Sequence, residues 1–310
     1  MIAFLARKLV GALAVALVVA IGTAILLELA PGSSCDTLRA EAADPLFGVA
    51  CDDPLPLRVS RQTIALLTLD LGHSAQTGRP VVEVVADHLP RTALLGLVAI
   101  TWGTILGLAV ALAQARWPRL DRPLGALGLV AFSLPSFATG HALQLALGHW
   151  LPVSGSEDAM HAYLAPLAQL LDHARHLVLP AIVLGLGPLV ATARVARAAI
   201  GEELDRDYVR AARARGLGAW RVWTRHVLPN AALPLVALLA TELPFCFGGA
   251  PIVETVFGFQ GMGWVATGAL AAQDVPLASG VLLGLAGVVA LSNLLADLVH
   301  AAIDPRVRLS

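Results

Sequence analysis

Apolar runs alternate along the chain with short polar and charged stretches, and the length of the runs sets the first expectation. A helix needs about 20 apolar residues to cross a hydrocarbon core about 30 Å thick. Six runs reach that length: Leu9–Ala30, Thr92–Ala115, Pro123–Leu147, Leu177–Ile200, Ala231–Val253 and Leu277–Ala301. The pattern predicts an all-α membrane protein with six transmembrane helices. Arg7 and Lys8 precede the first run as they would in a signal peptide, but no small-x-small cleavage site stands before Pro31, so a retained anchor helix is expected. Within the third run, Ser133-Leu134-Pro135-Ser136-Phe137 is expected to kink the helix, and the fourth carries Pro180 and Pro188.

Composition agrees and charge adds direction. At 57% hydrophobic and 14% charged, the chain is too apolar for a soluble domain of its 310 residues. A net charge of −1, with the basic residues gathered in particular loops, gives no reason to expect nucleic acid as a partner. Fifteen of the 21 Lys and Arg lie before Leu9, in 116–122, in 194–225 and after Ala301, against six in the alternate loops, so the positive-inside rule places both termini in the cytoplasm. The expected organisation is an N-terminal transmembrane helix (1–31), a periplasmic segment (32–91), a core of five transmembrane helices (92–303) containing a cytoplasmic loop (202–230), and a cytoplasmic tail (304–310).

Polar residues at bilayer depth are costly and face protein or water. His141 and Gln144 in the third run and Glu242 in the fifth are therefore candidates for a translocation path, with helix-to-helix hydrogen bonding as the alternative. Cys35 and Cys51, in the outer segment, can close a disulfide or remain two thiols, while Cys246 reads as a packing residue. Outside histidines occur at 149, 161, 173 and 176, but no HExxH or CxxC accompanies them, and no metal or other cofactor is expected. Glu254–Pro276, rich in glycine and aromatic residues, reads as a short re-entrant or interfacial segment at the outer face.

The longest charged island, Asp205–Pro234, reads as two short helices around an elbow. Tyr208, Ala211, Ala212 and Arg215 fall on one face of the first, with Asp205 or Asp207 as its cap; Gly216-Leu217-Gly218 breaks it; Ala219–His226 forms the second; and Leu228-Pro229 redirects the chain. A docking element beside a membrane has this form. The chain has one lysine, Lys8, so no GxxxxGK[ST] phosphate loop exists, and no catalytic constellation appears, which leaves an enzyme reading nothing to stand on and assigns any ATP-driven engine to a separate subunit.

The island resembles the EAA loop of ABC importer permeases, through Arg210-Ala211-Ala212, Gly216 and Leu228-Pro229. Arg210 and His226 stand where that pattern has an acidic and an aliphatic residue, which is similar to its peptide and nickel branch. DLGHSAQTGRPV, SLPSF, HLVLPAIVLGL, ETVFGFQGMG and NLLADLVHAAIDPRVR also look like segments of the first permease subunit of dipeptide, oligopeptide and nickel importers, so the likeness runs from Leu69 to Arg308 and misses the segment around the cysteine pair. The resemblance implies a type I importer-like permease fold with a cytoplasmic coupling helix, working with a second permease subunit (a heterodimer), two ABC ATPase subunits, a periplasmic substrate-binding protein and membrane lipid. It implies ATPase coupling by Tyr208, Arg210, Ala211, Ala212, Arg213, Gly216, Leu217, Leu228 and Pro229. A peptide or related small solute is the expected cargo, with a nickel or other metal chelate as the alternative. A secondary transporter would need mid-membrane ion-binding residues that one glutamate does not supply.

Overall fold

The computed structural model describes residues 2–29 and 54–303. Cys35 and Cys51 lie outside the described residues, as does most of the segment that contains them. Along the described chain run α1 (Ile2–Leu29), α2 (Leu55–Leu67), α3 (Val81–Arg116), α4 (Asp121–Ser133), α5 (Ser136–Leu147), α6 (Pro166–Leu204), α7 (Asp207–Ala214), α8 (Ala219–Val222), α9 (Leu228–Phe257), α10 (Met262–Ala271) and α11 (Val275–Ile303). Three 3₁₀ or π turns separate some of them. An isolated antiparallel bridge, His73 to Pro80, closes the loop between α2 and α3.

Among the described residues, four helices are long and apolar enough to span a membrane: α3, α6, α11, and a continuous helix from Ala219 to Phe257. A fifth span forms if α4 and α5 count as one, for the two are bent by 107° at Ser133-Leu134-Pro135. Pro135 supplies no N–H to continue the ladder and its ring opposes helix in the residue before it; Leu134 accordingly leaves α4 with extended backbone (ψ 132°). The expected kink is thus a sharp break. The helices also outrun the apolar runs that announced them. α6 occupies 39 residues and α3 36, because both continue beyond bilayer depth through polar turns.

The chain forms two compact units. Among the described residues, one comprises 2–29, 54–94, 154–169 and 247–291, the other 95–153, 170–246 and 292–303, so α3, α6, α9 and α11 lend residues to both. In the first unit α1 packs on α2, and Leu66, Val81, Met262 and Val281 are fully buried in one apolar cluster. α2 is amphipathic: Gln62, Thr63 and Leu66 are buried, and Gln62 Nε2 donates to Ser279 Oγ at 3.1 Å.

In the second unit α3 and α6 approach until backbone meets side chain. A Cβ on Gly185 would lie 2.3 Å from Trp102 Nε1 and 2.6 Å from the Ala99 carbonyl, so only glycine fits. The same approach lets Trp102 Nε1 donate to the Ala181 carbonyl at 2.7 Å. Further along these helices Ala111, Ala196 and Ile200 form an apolar seat, and onto it fold Val209, Ala212, Val222 and Val227 of the charged island. Burying four small and branched side chains against a helix pair is what holds this short, otherwise polar loop in one place.

Candidate functional site

The island is an anchored elbow. Arg206 is the N-cap of α7, with extended backbone (φ −67°, ψ 144°), and no side chain caps it. The expectation that Asp205 or Asp207 would cap is corrected here: the turn Asp205 N–H to Glu202 carbonyl carries the chain one residue past Asp205 before it extends, leaving Asp207 inside the first turn. There its charge opposes the positive end of the helix dipole, with Arg210 3.7 Å away. The packed face is also one residue out of step with the expected stripe. Val209 and Ala212 are buried, whereas Tyr208, Ala211 and Arg215 are exposed, because the valine is what fits the seat on Ile200.

Gly216 turns the elbow at φ +78°, a conformation that L side chains rarely adopt, and its N–H donates to the Arg213 carbonyl at 2.9 Å. Leu217 and Leu228 pack against the buried cluster. Tyr208 pins the elbow to its neighbours. Its hydroxyl donates to the Glu203 carboxylate, and Asn230 Nδ2 donates to that hydroxyl at 3.2 Å and to the His226 carbonyl at 2.7 Å. Desolvation of the hydroxyl by its neighbours, and then the hydrogen bond to Glu203, hold the phenol above its usual pKa range.

Leu228-Pro229 does not redirect the chain. Trp223–Val227 forms a π-turn, with the Leu228 N–H donating to the Trp223 carbonyl, and α8, π-turn and α9 continue as one helix. In a regular α-helix the Pro229 ring would press on the Arg225 carbonyl; widening the preceding turn relieves it at the cost of one residue of register. The outward surface left by this construction carries Arg210, Ala211, Arg213, Gly216 and Trp220, the last 81% exposed. Five arginines in 206–221 make it basic, interrupted by Asp207.

The three path candidates separate into a pair and a single group. His141 Nδ1 lies 2.9 Å from Gln144 Oε1, and Gln144 Nε2 donates to the Val153 carbonyl at 2.8 Å. An amide oxygen only accepts, so the imidazole proton sits on Nδ1. Glu242 is half-buried, and no hydrogen bond or ion pair joins it to any of the described residues.

Two carboxylates organise the other unit. Glu254 is completely buried; its Oε1 accepts from Thr92 Oγ1 at 2.7 Å and its Oε2 from the N–H groups of Gly263 (2.6 Å) and Trp264 (3.3 Å). Those N–H groups open α10, whose preceding residue is Gly261, so the glutamate caps a helix eight residues downstream of itself. Thr92 Oγ1 in turn accepts from the Met262 N–H at 2.8 Å. Nothing larger than glycine fits beside it: a Cβ on Gly263 would meet Pro251 Cα at 2.2 Å, and one on Gly261 the Glu254 carboxylate at 2.4 Å. Asp274, also buried, caps α11 by accepting from Leu277 N–H (3.1 Å) and ties down the 73–80 loop by accepting from Ser74 Oγ (2.6 Å).

Against known proteins, residues 103–309 match the model of the binding-protein-dependent transport system inner membrane component family, a match that contains the whole elbow. The chain belongs to that family. Among the relatives of this inner-membrane transport component is the probable peptide ABC transporter permease of Sinorhizobium fredii, 29% identical over 98% of this chain and 99% of its own. The glutathione transport system permease of Salmonella paratyphi A is 29% identical over 99% of both chains, and a Brucella ovis protein with a peptide-permease name is 32% identical over 98% of both. Family and apolar helices together make it a multi-pass protein of the bacterial inner membrane, an ABC importer permease subunit.

Sequence reasoning missed three features of this permease. Trp220 had a legible signal: with Val222 and Val227 as the apolar anchors of its turn, a tryptophan on the other face has to point outward. Thr92 and Glu254 had none, since 162 positions separate them and neither is unusual where it stands.

Proposed function

We propose that this chain is the permease subunit of an ATP-driven importer that carries peptides or related small solutes, handed over by a periplasmic binding protein. Six membrane spans, with both termini on the side of the elbow, complete the reading, and a second permease subunit closes the path. ATP is hydrolysed by separate subunits, which seat on the surface formed by Arg210, Ala211, Arg213, Gly216 and Trp220. The observation that carries this is the elbow's construction: four buried side chains fix a short basic loop onto the ends of α3 and α6 while its outer face stays free of partners within the seat. A loop held so firmly can pass a rigid-body displacement from a docked ATPase into the membrane helices, which a solvated loop cannot. The peptide-type cargo rests on the names of the relatives, and Glu242, with His141 and Gln144, is assigned to the path for its polarity at bilayer depth.

The test is Gly216→Pro. Proline fixes φ near −65° and removes the N–H given to Arg213, so the elbow cannot form. Insertion into the membrane is expected to persist, while co-purification of the ATPase subunits and cargo-stimulated ATP hydrolysis are lost. Normal coupling in this variant would refute the assignment.

A further inference from the structure

A cavity of about 610 Å³ opens in the second unit between the elbow-side ends of α3, α4 and α6. Its length is apolar, lined by Leu124, Leu127 and Val190, and α4 leaves room for it with Gly125 and Gly128. Its polar side chains are Gln114, Asp121, Arg194 and Arg197. Gln114 Nε2 donates to the Asp121 carbonyl (3.2 Å), and Arg197 donates through Nε and Nη2 to the Asp121 carboxylate at 3.3 and 3.2 Å. The Asp121 carboxylate is thereby taken. Arg194, which also lines the cavity, is exposed and has no hydrogen-bond or ion-pair partner among the described residues. Two guanidinium groups against one carboxylate leave one positive charge at an apolar slot.

We propose that this cavity binds one anionic phospholipid from the leaflet on the elbow side, its phosphate on Arg194 and an acyl chain lying along Gly125 and Gly128. The charge decides among occupants. A zwitterionic lipid brings a cation of its own beside the phosphate and leaves the surplus charge at Arg194 uncancelled, whereas an anionic lipid cancels it. An acyl chain is thin enough to enter the cavity and long enough to fill it.

The experiment uses the full-length chain with whatever subunits accompany it, reconstituted in nanodiscs of equal parts phosphatidylglycerol and phosphatidylcholine, then released into detergent and weighed by native mass spectrometry. One retained phosphatidylglycerol, in preference to phosphatidylcholine, is expected. Arg194→Gln should lower that preference about five-fold, the effect of one cation at an anionic surface, and Arg194→Lys should restore most of it. Gly128→Leu should abolish retention of both lipids; its Cβ makes only ordinary contacts, 3.7 Å from Val190, and the rest of the side chain enters the cavity. Equal retention of the two lipids by the unaltered chain, or a preference unmoved by Arg194→Gln, overturns the proposal. So does a Gly128→Cys variant that cross-links to a second permease chain, since the occupant is then protein.

Discussion

Replacing Glu254 offers the sharpest test of how the first unit is held together. In Glu254→Ala, the Thr92 hydroxyl and the Gly263 N–H lose their acceptor in a fully buried place, each at about 1–3 kcal/mol, and the half-exposed Trp264 N–H loses a longer bond. The expected destabilisation is therefore roughly 2–6 kcal/mol. Glu254→Gln should be milder. Its amide oxygen can keep both backbone donors, and its NH₂ can donate to the second lone pair of Thr92 Oγ1, so that only the Thr92 hydroxyl proton loses its acceptor, for a loss of about 1–3 kcal/mol. Thr92→Val, which orphans the Met262 N–H, should fall between them. Because Thr92 and Glu254 share one network, the double variant Thr92→Val/Glu254→Ala should cost less than the two single changes added, by at least about 0.5 kcal/mol. Equilibrium unfolding in mixed micelles with increasing dodecyl sulfate, followed by tryptophan fluorescence, suits the question, since Trp264 stands at the site itself. An alanine variant as stable as the parent, or a glutamine variant as damaged as alanine, would refute the account of Glu254 as a helix cap acting from a distance.

Asp274→Ala should release the 73–80 loop and fray the start of α11, costing about 2–4 kcal/mol and exposing the chain after Arg79 to trypsin; Ser74→Ala should do so to a lesser degree. Gly185→Ala has no room and should lower the thermal midpoint in detergent by the equivalent of about 1–3 kcal/mol, whereas Gly187→Ala, with nothing within 4 Å of the added carbon, should be neutral or raise it slightly. Glu242→Gln, at a half-buried carboxylate with no partner among the described residues, is expected to reduce uptake and cargo-stimulated ATP hydrolysis several-fold without changing the unfolding curve; unchanged transport would remove it from the path.

What the sequence makes legible here depends on how local the deciding interaction is. Apolar runs predict α3, α6, α9 and α11 because a spanning helix satisfies its own backbone, and Gly216 predicts its elbow because a left-handed residue is a property of one position. The ends of elements are less readable. Polar residues such as Gln169 and Glu203 give no hydropathy signal, yet they extend α6 well past the run that marks its core. The face of α7 is misplaced by one residue, since Tyr208 and Val209 are both plausible core residues and only the seat on Ala196 and Ile200 selects the valine. In α2, the amphipathic pattern of Gln62, Thr63 and Leu66 is weak because two of its three buried residues are polar, Thr63 satisfied by the Val59 carbonyl of its own helix and Gln62 by Ser279 far along the chain. The Glu254 network lies beyond such reading altogether, its partners being fixed by the fold.

The π-turn at Trp223–Val227 bears on how such a loop changes its aim. Each residue rotates an α-helix by about 100°, and a π-turn stores one residue beyond the regular count, so Trp220 and the stem of α9 stand about 100° out of phase. Periodicity counted straight across the junction therefore assigns one end to the wrong side. Excising a single residue there would return the helix to phase and swing Trp220 and Arg221 around the axis like a key turned in a lock, with every side chain on the key intact. Insertions and deletions, more than substitutions, are the changes by which this shaft would be recut for a different engine.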